Sequence, residues 1–562
     1  MIFSKRKNFT CCLLLAMMVF AVGIHPGSAQ TPAENFRFVV MGDNRPHWDA
    51  DDSITQPEEF KENIRAINLL DPDFVIDVGD LIRGYTDSAE LLQKEWDDFD
   101  RTIKSFEMPF DLVVGNHDVR DELSQQIYLQ RYGRLYYSFN FGNSHFVVLD
   151  SDEAGSIDFI RGEQLTWLQK DLNDHQNARH TFVFLHKPLW AYKNNDWMTV
   201  VHPVLANHGV TAVFAGHWHV YQQFPAVDGM GYFVTGGGGA ELDTPEALGG
   251  FFHFMQGSVR GDEVNYAVVK PGGVKLIDVV TAEMVAKAEE LQRQLVPRLS
   301  VTSPGNFAQS ITIPIANPFP YPVSAKFTWS LPENSAWRAN PCAIEFALDK
   351  SESSSLLINL KGNGSRVFPL PELRYKIYRG NELLIDDGVR VDLANDWFVR
   401  DWMVIGPFDL KMQKGVPLGF DEVYPPEKKI ELQKSYESTG KKIGWKPATA
   451  ETDGLVNLDK LFEPNDRVLA YVLCYVEAPT EMESTISLGS DHGAKMWLND
   501  KLIFARHVPR SARPDQDVIP VTLKKGWNTV LLKVEDLGGD WGFYLRFSNP
   551  ANLLKYQSQL SE

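Results

Sequence analysis

Five short polar motifs, each placed directly after an apolar strand-like run, constrain this chain more than any other feature. They are Gly42-Asp43, Gly79-Asp80, Gly115-Asn116-His117-Asp118, Leu185-His186-Lys187-Pro188 and Gly216-His217-Trp218-His219. The runs before them are Phe36–Met41, Phe74–Val78, Phe110–Val114, Thr181–Leu185 and Val210–Ala215. A further run, His145–Leu149, ends in Asp150 with no accompanying motif, and Asp150 reads as structural. Between the runs, apolar residues recur at helical spacing: Phe60, Ile64 and Ile67; Leu92, Trp96, Phe99 and Ile103; Leu165, Leu168 and Leu172. Continuous apolar strands separated by amphipathic helices predict a sheet covered by helices. In such sheets ligands gather beyond the carboxyl ends of the strands, so the five motifs are expected to converge there. Four of them carry Gly just before the polar group, where it lets the chain turn sharply and approach a site closely.

A set of Asp, Asn and His without thiolate suits Mn, Fe or Zn. Two divalent cations about 3.5–4 Å apart can clamp a phosphoryl group and activate a water, and a carboxylate must bridge them. Asp80 is the candidate bridge. His217 and His219, two apart on an extended segment, can reach neighbouring metals. Any one of these histidines alone would read as a surface or core residue; their joint occurrence at strand ends is what carries the metal reading. His145 and His253 are assigned structural roles, and Asp49, Asp51 and Asp52 a solvated loop. Arg120 and Lys187 lie beside ligand positions and face either phosphate or solvent. Gly236–Gly239 follows the run Tyr232–Val234 and reads as a tight turn rather than a phosphate cradle.

The Gly-Asn-His-Asp and Gly-His-x-His elements make residues 34–285 resemble the calcineurin-like metallophosphoesterase family. The resemblance implies an α/β four-layer sandwich built on two sheets. It assigns Asp43, Asp80 and His219 to a first metal, and Asp80, Asn116, His186 and His217 to a second. His117 would be the proton donor or phosphate contact near the leaving group, oriented by Asp118. The expected cofactors are two divalent metal ions, Mn, Fe or Zn.

Two positions depart from the family pattern. Its first motif is usually Asp-x-His, but here it is Asp43-Asn44-Arg45. A guanidinium cannot ligate a cation. His47 is a candidate substitute, and Arg45 suits a phosphate contact through its fork of donors. In addition, Arg83 stands where purple acid phosphatases carry a ferric-binding Tyr, and Tyr85, two positions on, is not expected to overlay.

The remaining chain sets the context. Lys5-Arg6-Lys7, the apolar run Cys11–Ile24 and Gly27-Ser28-Ala29 read as a signal peptide over residues 1–29, with the mature chain starting near Gln30. That predicts a secreted or periplasmic protein with no transmembrane segment. The mature chain then holds Cys342 and Cys474, in different expected domains, so disulfides do not organise it. The formal charge of −19 disfavours nucleic-acid binding. Residues 281–295 read as a connecting helix. Beyond Pro297 helical periodicity stops, and alternation such as Ser310-Ile311-Thr312-Ile313 and Ala325-Lys326-Phe327-Thr328-Trp329 predicts a β-sandwich spacer over 297–395. Residues 396–562 are read as a second all-β domain. Asp491 to Asp500 and Lys524 to Asn528 resemble jelly-roll, carbohydrate-binding-like modules of bacterial glycan-acting enzymes, with Trp497 and Trp527 assigned to core packing.

The expected activity is exported, metal-dependent hydrolysis of phosphate mono- or diesters by attack of a metal-bound hydroxide. His117, Asp118 and Arg45 are the expected catalytic residues, and a glycan is a possible further ligand. The alternative, motivated by Arg45, is a glycan-binding surface protein with an inactive or weakened phosphoesterase domain.

Overall fold

The computed structural model describes residues 34–47, 54–152, 159–394, 396–410, 412–413, 416–417, 419–465, 467–508 and 510–560. The expected signal peptide and Asp49, Asp51 and Asp52 lie outside these residues. The chain divides into two compact units, Met1–Ala288 with Glu382–Ile385, and Glu289–Asn381 with Asp386–Glu562. The helix expected at 281–295 is present as Ala282–Gln294 and crosses that division. No helix among the described residues is long and apolar enough to cross a membrane.

The first unit holds two six-stranded sheets. In one, parallel strands β1 (Asn35–Met41), β2 (Phe74–Asp77) and β3 (Phe110–Leu112) form one side. In the other, β4 (Tyr137–Phe141) pairs antiparallel with β5 (Ser144–Val148). Strands β6 (His180–Phe184), β7 (Ala212–Ala215) and β9 (Met230–Thr235) continue in parallel, and β8 (Tyr221–Val227) closes the edge. Strands β10 (Phe254–Arg260), β11 (Glu263–Lys270) and β12 (Gly273–Lys275) extend the first sheet antiparallel beyond β1.

The side-chain alternation explains why the strands looked continuously apolar. On β1, Phe36, Phe38 and Val40 pack toward Phe146, Phe182 and Phe214 of the other sheet, while Val39 and Met41 pack under helices. Phe38 lies 5.1 Å ring to ring from Phe182, and Phe74 lies 5.1 Å from Phe146. Each such buried ring contributes roughly 1.5–3 kcal/mol. The outer face of the first sheet is covered by α1 (Glu58–Leu70) through Phe60, Ile64 and Ile67, and by α2 (Ala89–Ile103) through Leu92, Trp96 and Phe99. Ser88 caps α2 by accepting the Leu91 N–H at 3.2 Å. The second sheet's outer face takes α4 (Gly162–Asp174) through Leu168 and Leu172.

Two helices carried no usable period. On α3 (Glu122–Tyr132) only Ser124, Ile127 and Tyr128 are buried. Helix α5 (Trp197–Asn207) is apolar on most faces and contains Pro203.

The second unit is strand-rich. Asn306–Ala316 pairs with Ser353–Asn363, and Val323–Ser330 is flanked by Ala343–Leu348 and Glu372–Arg379. The expected alternation holds: Ile311, Ile313, Ala325, Phe327 and Trp329 are buried. Farther on, Asp401–Asp409, Val468–Ala478, Gly526–Glu535 and Ala494–Leu498 lie in a seven-stranded sheet, accompanied by a four-stranded one. Trp497 packs against the buried cluster of Ile405 and Tyr471, but Trp527 is 36% exposed and is not a core residue. It sits at the start of its strand, opposite Glu477, where one face meets solvent.

Candidate metal centre

Every one of the five motifs leaves the carboxyl end of a parallel strand: β1, β2 and β3 in one sheet, β6 and β7 in the other. Backbone hydrogen bonds fix the loops to one another. Asp43 N–H donates to Gly79 O at 2.9 Å, Arg45 N–H to Asp80 O at 3.1 Å, and Gly216 N–H to His186 O at 2.9 Å. The two sheets are tied at the same place, because the His217 N–H donates to the Asp43 carboxylate at 2.9 Å.

Backbone conformation at the site is unusual. Asp43, Asp80 and His217 have φ of 58°, 59° and 70°. Non-glycine residues in this region are uncommon and concentrate where function holds them. Gly79, at φ 102°, needs the freedom glycine gives. It also needs the space: a Cβ there would lie 2.9 Å from both Gly115 N and His186 Nδ1, and one at Gly115 would lie 2.3 Å from Asp80 Oδ1.

Two groups of ligand-type atoms result, each with its atoms within 4.8 Å of one another. One is Asp80, His186 and His217; the other is Asp43, Asp80 and His219. Asp80 belongs to both. Asn116 joins the first, with Oδ1 3.1 Å from His186 Nε2. The imidazoles are oriented from behind. A carbonyl only accepts, so His186 Nδ1 donates to Val78 O at 2.9 Å and His219 Nδ1 donates to Glu241 O. Their Nε2 lone pairs therefore face the carboxylates, the arrangement metal-ligating histidines use. His186 Nε2 stands 3.2 Å from Asp80 Oδ1 and 3.2 Å from His217 Nδ1. Imidazole nitrogens and buried carboxylates converging on one place call for positive charge between them, so the residues fit a two-metal cofactor.

The electrostatics agree. Burial and the adjacent His186 push His217 down to about 3. Burial acts to lower His186 as well, but the Asp80 and Asp43 carboxylates outweigh it and hold the ring up at about 10. Burial raises Asp43 well above the usual carboxylate range, with Asp80 adding repulsion.

His117 is buried beside this set, with Nε2 3.7 Å from Asp80 Oδ2 and Nδ1 donating to Arg83 O at 2.6 Å. Its orientation therefore comes from the Arg83 carbonyl and not from Asp118, which corrects the sequence expectation. The Asp118 carboxylate accepts the N–H groups of Gly115, Asp80, Leu81 and Ile82 at 2.8, 2.9, 2.9 and 3.3 Å. It clamps the Asp80 loop to the Gly115 loop. The reason is local: the Asp118 side chain turns back to Gly115 and to the loop that follows β2, leaving Nδ1 of His117 to a backbone acceptor. Asp118→Asn replaces a multiple acceptor by one oxygen and an N–H2 that faces donors. Its expected cost is about 1–3 kcal/mol of stability, read as a lower unfolding midpoint, with the pH profile of turnover left in place. A displaced pH profile at unchanged stability would restore Asp118 to the proton path.

Arg45 is buried and pairs through Nη1 with Glu241 Oε2 at 3.0 Å, close enough for its charge to depress both His117 and His219 after burial. His47 does not substitute in the ligand groups: its Nε2 contacts Gly239 O at 2.8 Å. Arg120 pairs with Asp87 at 2.9 Å, and Lys187 with Asp152 at 2.8 Å. His145 is held by Asn140 and Asp171, and His253 by Phe251 O and Thr235. Gly236–Gly239 is not a simple turn. It packs behind the site, where a Cβ at Gly236 would lie 2.7 Å from Asp43 Oδ2 and one at Gly238 2.4 Å from Gly42 O. Tyr85 was not foreseen here: its hydroxyl accepts from Asn116 Nδ2 at 3.1 Å and its ring lies 4.7 Å from that of His117. Nothing in the spacing of Asp80 and Tyr85 signals that contact, because the φ of 50° at Tyr85 folds it back.

Comparison with known proteins decides the family of this region. Residues 36–221 match the family model described as calcineurin-like phosphoesterase. Residues 36–221 form a calcineurin-like metallophosphoesterase domain. The phosphoesterase domain is similar to tartrate-resistant acid phosphatase type 5 of Homo sapiens, at 26% identity over 40% of this chain and 79% of that protein. It is also similar to purple acid phosphatase 22 of Arabidopsis thaliana, at 28% identity over 36% of this chain and 48% of that protein. Among solved structures, a dimetal phosphatase from Danio rerio aligns with 43% of this chain and 98% of its own, at 15% identity and a TM-score of 0.33. The phosphoesterase domain makes the chain a hydrolase acting on phosphate esters, with two divalent metal ions as cofactors.

Proposed function

We propose that this chain is an exported phosphoesterase acting on phosphate mono- or diesters. In this reading the phosphoesterase domain is a four-layer α/β sandwich, 297–395 is a spacer and 396–562 a carbohydrate-binding-like module. Asp43, Asp80 and His219 would hold one cation, and Asp80, Asn116, His186 and His217 the other. The observation that carries the reading is the membership of Asp80 in both ligand groups. When bound, the cations supply positive charge to the phosphoryl oxygens and lower the pKa of the attacking water.

The chain's own groups do the rest. Asp118 fixes the spacing of the Asp80 and Asn116 loops through its backbone bonds. His117 keeps its Nδ1 proton on Arg83 O, so Nε2 is the atom that holds and delivers a proton to the departing alkoxide. Arg45, paired with Glu241, places beside the centre a guanidinium whose planar fork suits phosphate oxygens.

Chelator-treated protein is expected to lose turnover of aryl phosphates and to regain it with Mn or Zn. The monoester-to-diester rate ratio then sets the substrate class. Full turnover after verified metal removal would refute the reading. Export is expected to leave a mature chain starting near Gln30, which N-terminal sequencing of protein recovered outside the cytoplasm checks; a retained Met1 would contradict it.

A further inference from the structure

A second cluster of ligand-type side chains lies far along the chain from the phosphoesterase residues. The turn Asp491-His492-Gly493 joins strands Met482–Ser490 and Ala494–Leu498. Strand Gly526–Glu535 runs beside the second of these, with Ala494 opposite Val534, so Glu535 and Asp536 arrive next to the turn. Asp491, His492 and Asp536 each offer one ligand atom, all within 4.8 Å of one another. Backbone bonds fix all three: Asp491 N–H to Gly542 O at 3.0 Å, His492 N–H to Arg510 O at 2.9 Å, and Asp536 N–H to Val468 O at 2.8 Å.

The second observation is electrostatic. Asp536 is fully buried, and while its Oδ2 accepts the Arg467 N–H at 3.2 Å, its Oδ1 has no hydrogen-bond partner. That oxygen is aimed at the cluster, 3.9 Å from His492 Nδ1. Asp491, 2% exposed, has its Oδ2 against the same imidazole nitrogen. The neighbouring Glu535 is also fully buried, with His507 Nε2 at 2.8 Å from its Oε2. The nearby ammonium of Lys533 is directed elsewhere, to Phe420 O, Glu422 O and Glu427. Three buried carboxylates served by two imidazoles, with the Asp536 Oδ1 oxygen left without a hydrogen bond, are costly without a further positive charge.

We propose that Asp491, His492 and Asp536 form a divalent-cation site distinct from the phosphoesterase centre, suited to a transition metal such as Zn or Mn. An imidazole nitrogen beside two carboxylates fits those ions, whereas calcium takes six to eight oxygens. The ion would pin the 491–493 turn to the end of strand Gly526–Glu535, joining segments about 40 residues apart in sequence, and bind the folded form in preference to the unfolded one.

The test uses the full-length chain. Divalent metal per chain is measured by elemental analysis for the wild type, Asp536→Asn and His492→Gln, each equilibrated with Zn or Mn and freed of excess. Both variants are expected to hold about one ion fewer than the wild type, with aryl phosphate turnover unchanged. The difference between proteins carries the result, so it stands whatever the occupancy of the phosphoesterase centre. Equal metal content in all three overturns the proposal, as does a difference that appears only when calcium is supplied in place of Zn or Mn. Should Asp536→Asn yield no soluble protein, His492→Gln, at a partly exposed turn position, gives the same count.

Discussion

Asp80→Asn is expected to remove at least one divalent ion per chain and to lower turnover about 10³-fold, equivalent to about 4 kcal/mol of transition-state stabilisation. The substitution is nearly isosteric. Asn Oδ1 can still accept the His117 N–H, which Asp80 accepts at 3.0 Å, so the loop has no steric reason to move. What is lost is the negative charge shared by the two ligand groups, and with it the oxygen that serves the second of them. The nitrogen atoms of His186 and His217, 3.2 Å apart, would then face one another across a neutral amide. Elemental analysis and steady-state turnover on the same preparation check the prediction. Unchanged metal content would show that Asp80 is not the bridge, and the two-ion assignment would fall with it.

His117→Ala is expected to act on a different quantity. Its Nε2 lies 3.7 Å from Asp80 Oδ2, while its Nδ1 is committed to Arg83 O. It belongs to neither group of metal-ligand atoms. Metal content should therefore stay near the wild-type value while kcat falls about 10²–10⁴-fold, the usual worth of a positioned proton donor. The loss should shrink for aryl esters with acidic leaving groups, which depart without protonation. Equal losses across leaving groups of differing acidity would assign His117 to phosphate binding instead; an unchanged rate would remove it from the reaction. The Tyr85 ring against His117 is part of the same wall, held by its hydrogen bond to Asn116.

These two predictions rest on residues legible before any fold was known. Asp43, Asp80, Asn116, His186, His217 and His219 were each marked by an apolar run that stops at a polar group, and that pattern survives folding because parallel strands all point their carboxyl ends one way. The elements that escaped have no such mark. Strand β8 and the antiparallel strands β10 to β12 complete the two sheets yet precede no ligand. Helix α3 buries Ser124 with Ile127 and Tyr128, too little to set a period.

The sequence by itself determined the candidate ligand set, the strand–helix alternation and the strand-rich character of the C-terminal half, because these depend on residue type and local periodicity. Only the tertiary structure decided which atoms the ligands present and who holds them there. Asp118 turned out to bind four backbone N–H groups from two loops, and His117 to lean on the Arg83 carbonyl. Tyr85 reached Asn116, and the glycine run packed behind Asp43. Those contacts join loops from different strands through backbone atoms, and every residue carries the same N–H and C=O. Side-chain spacing along the chain therefore holds no record of them.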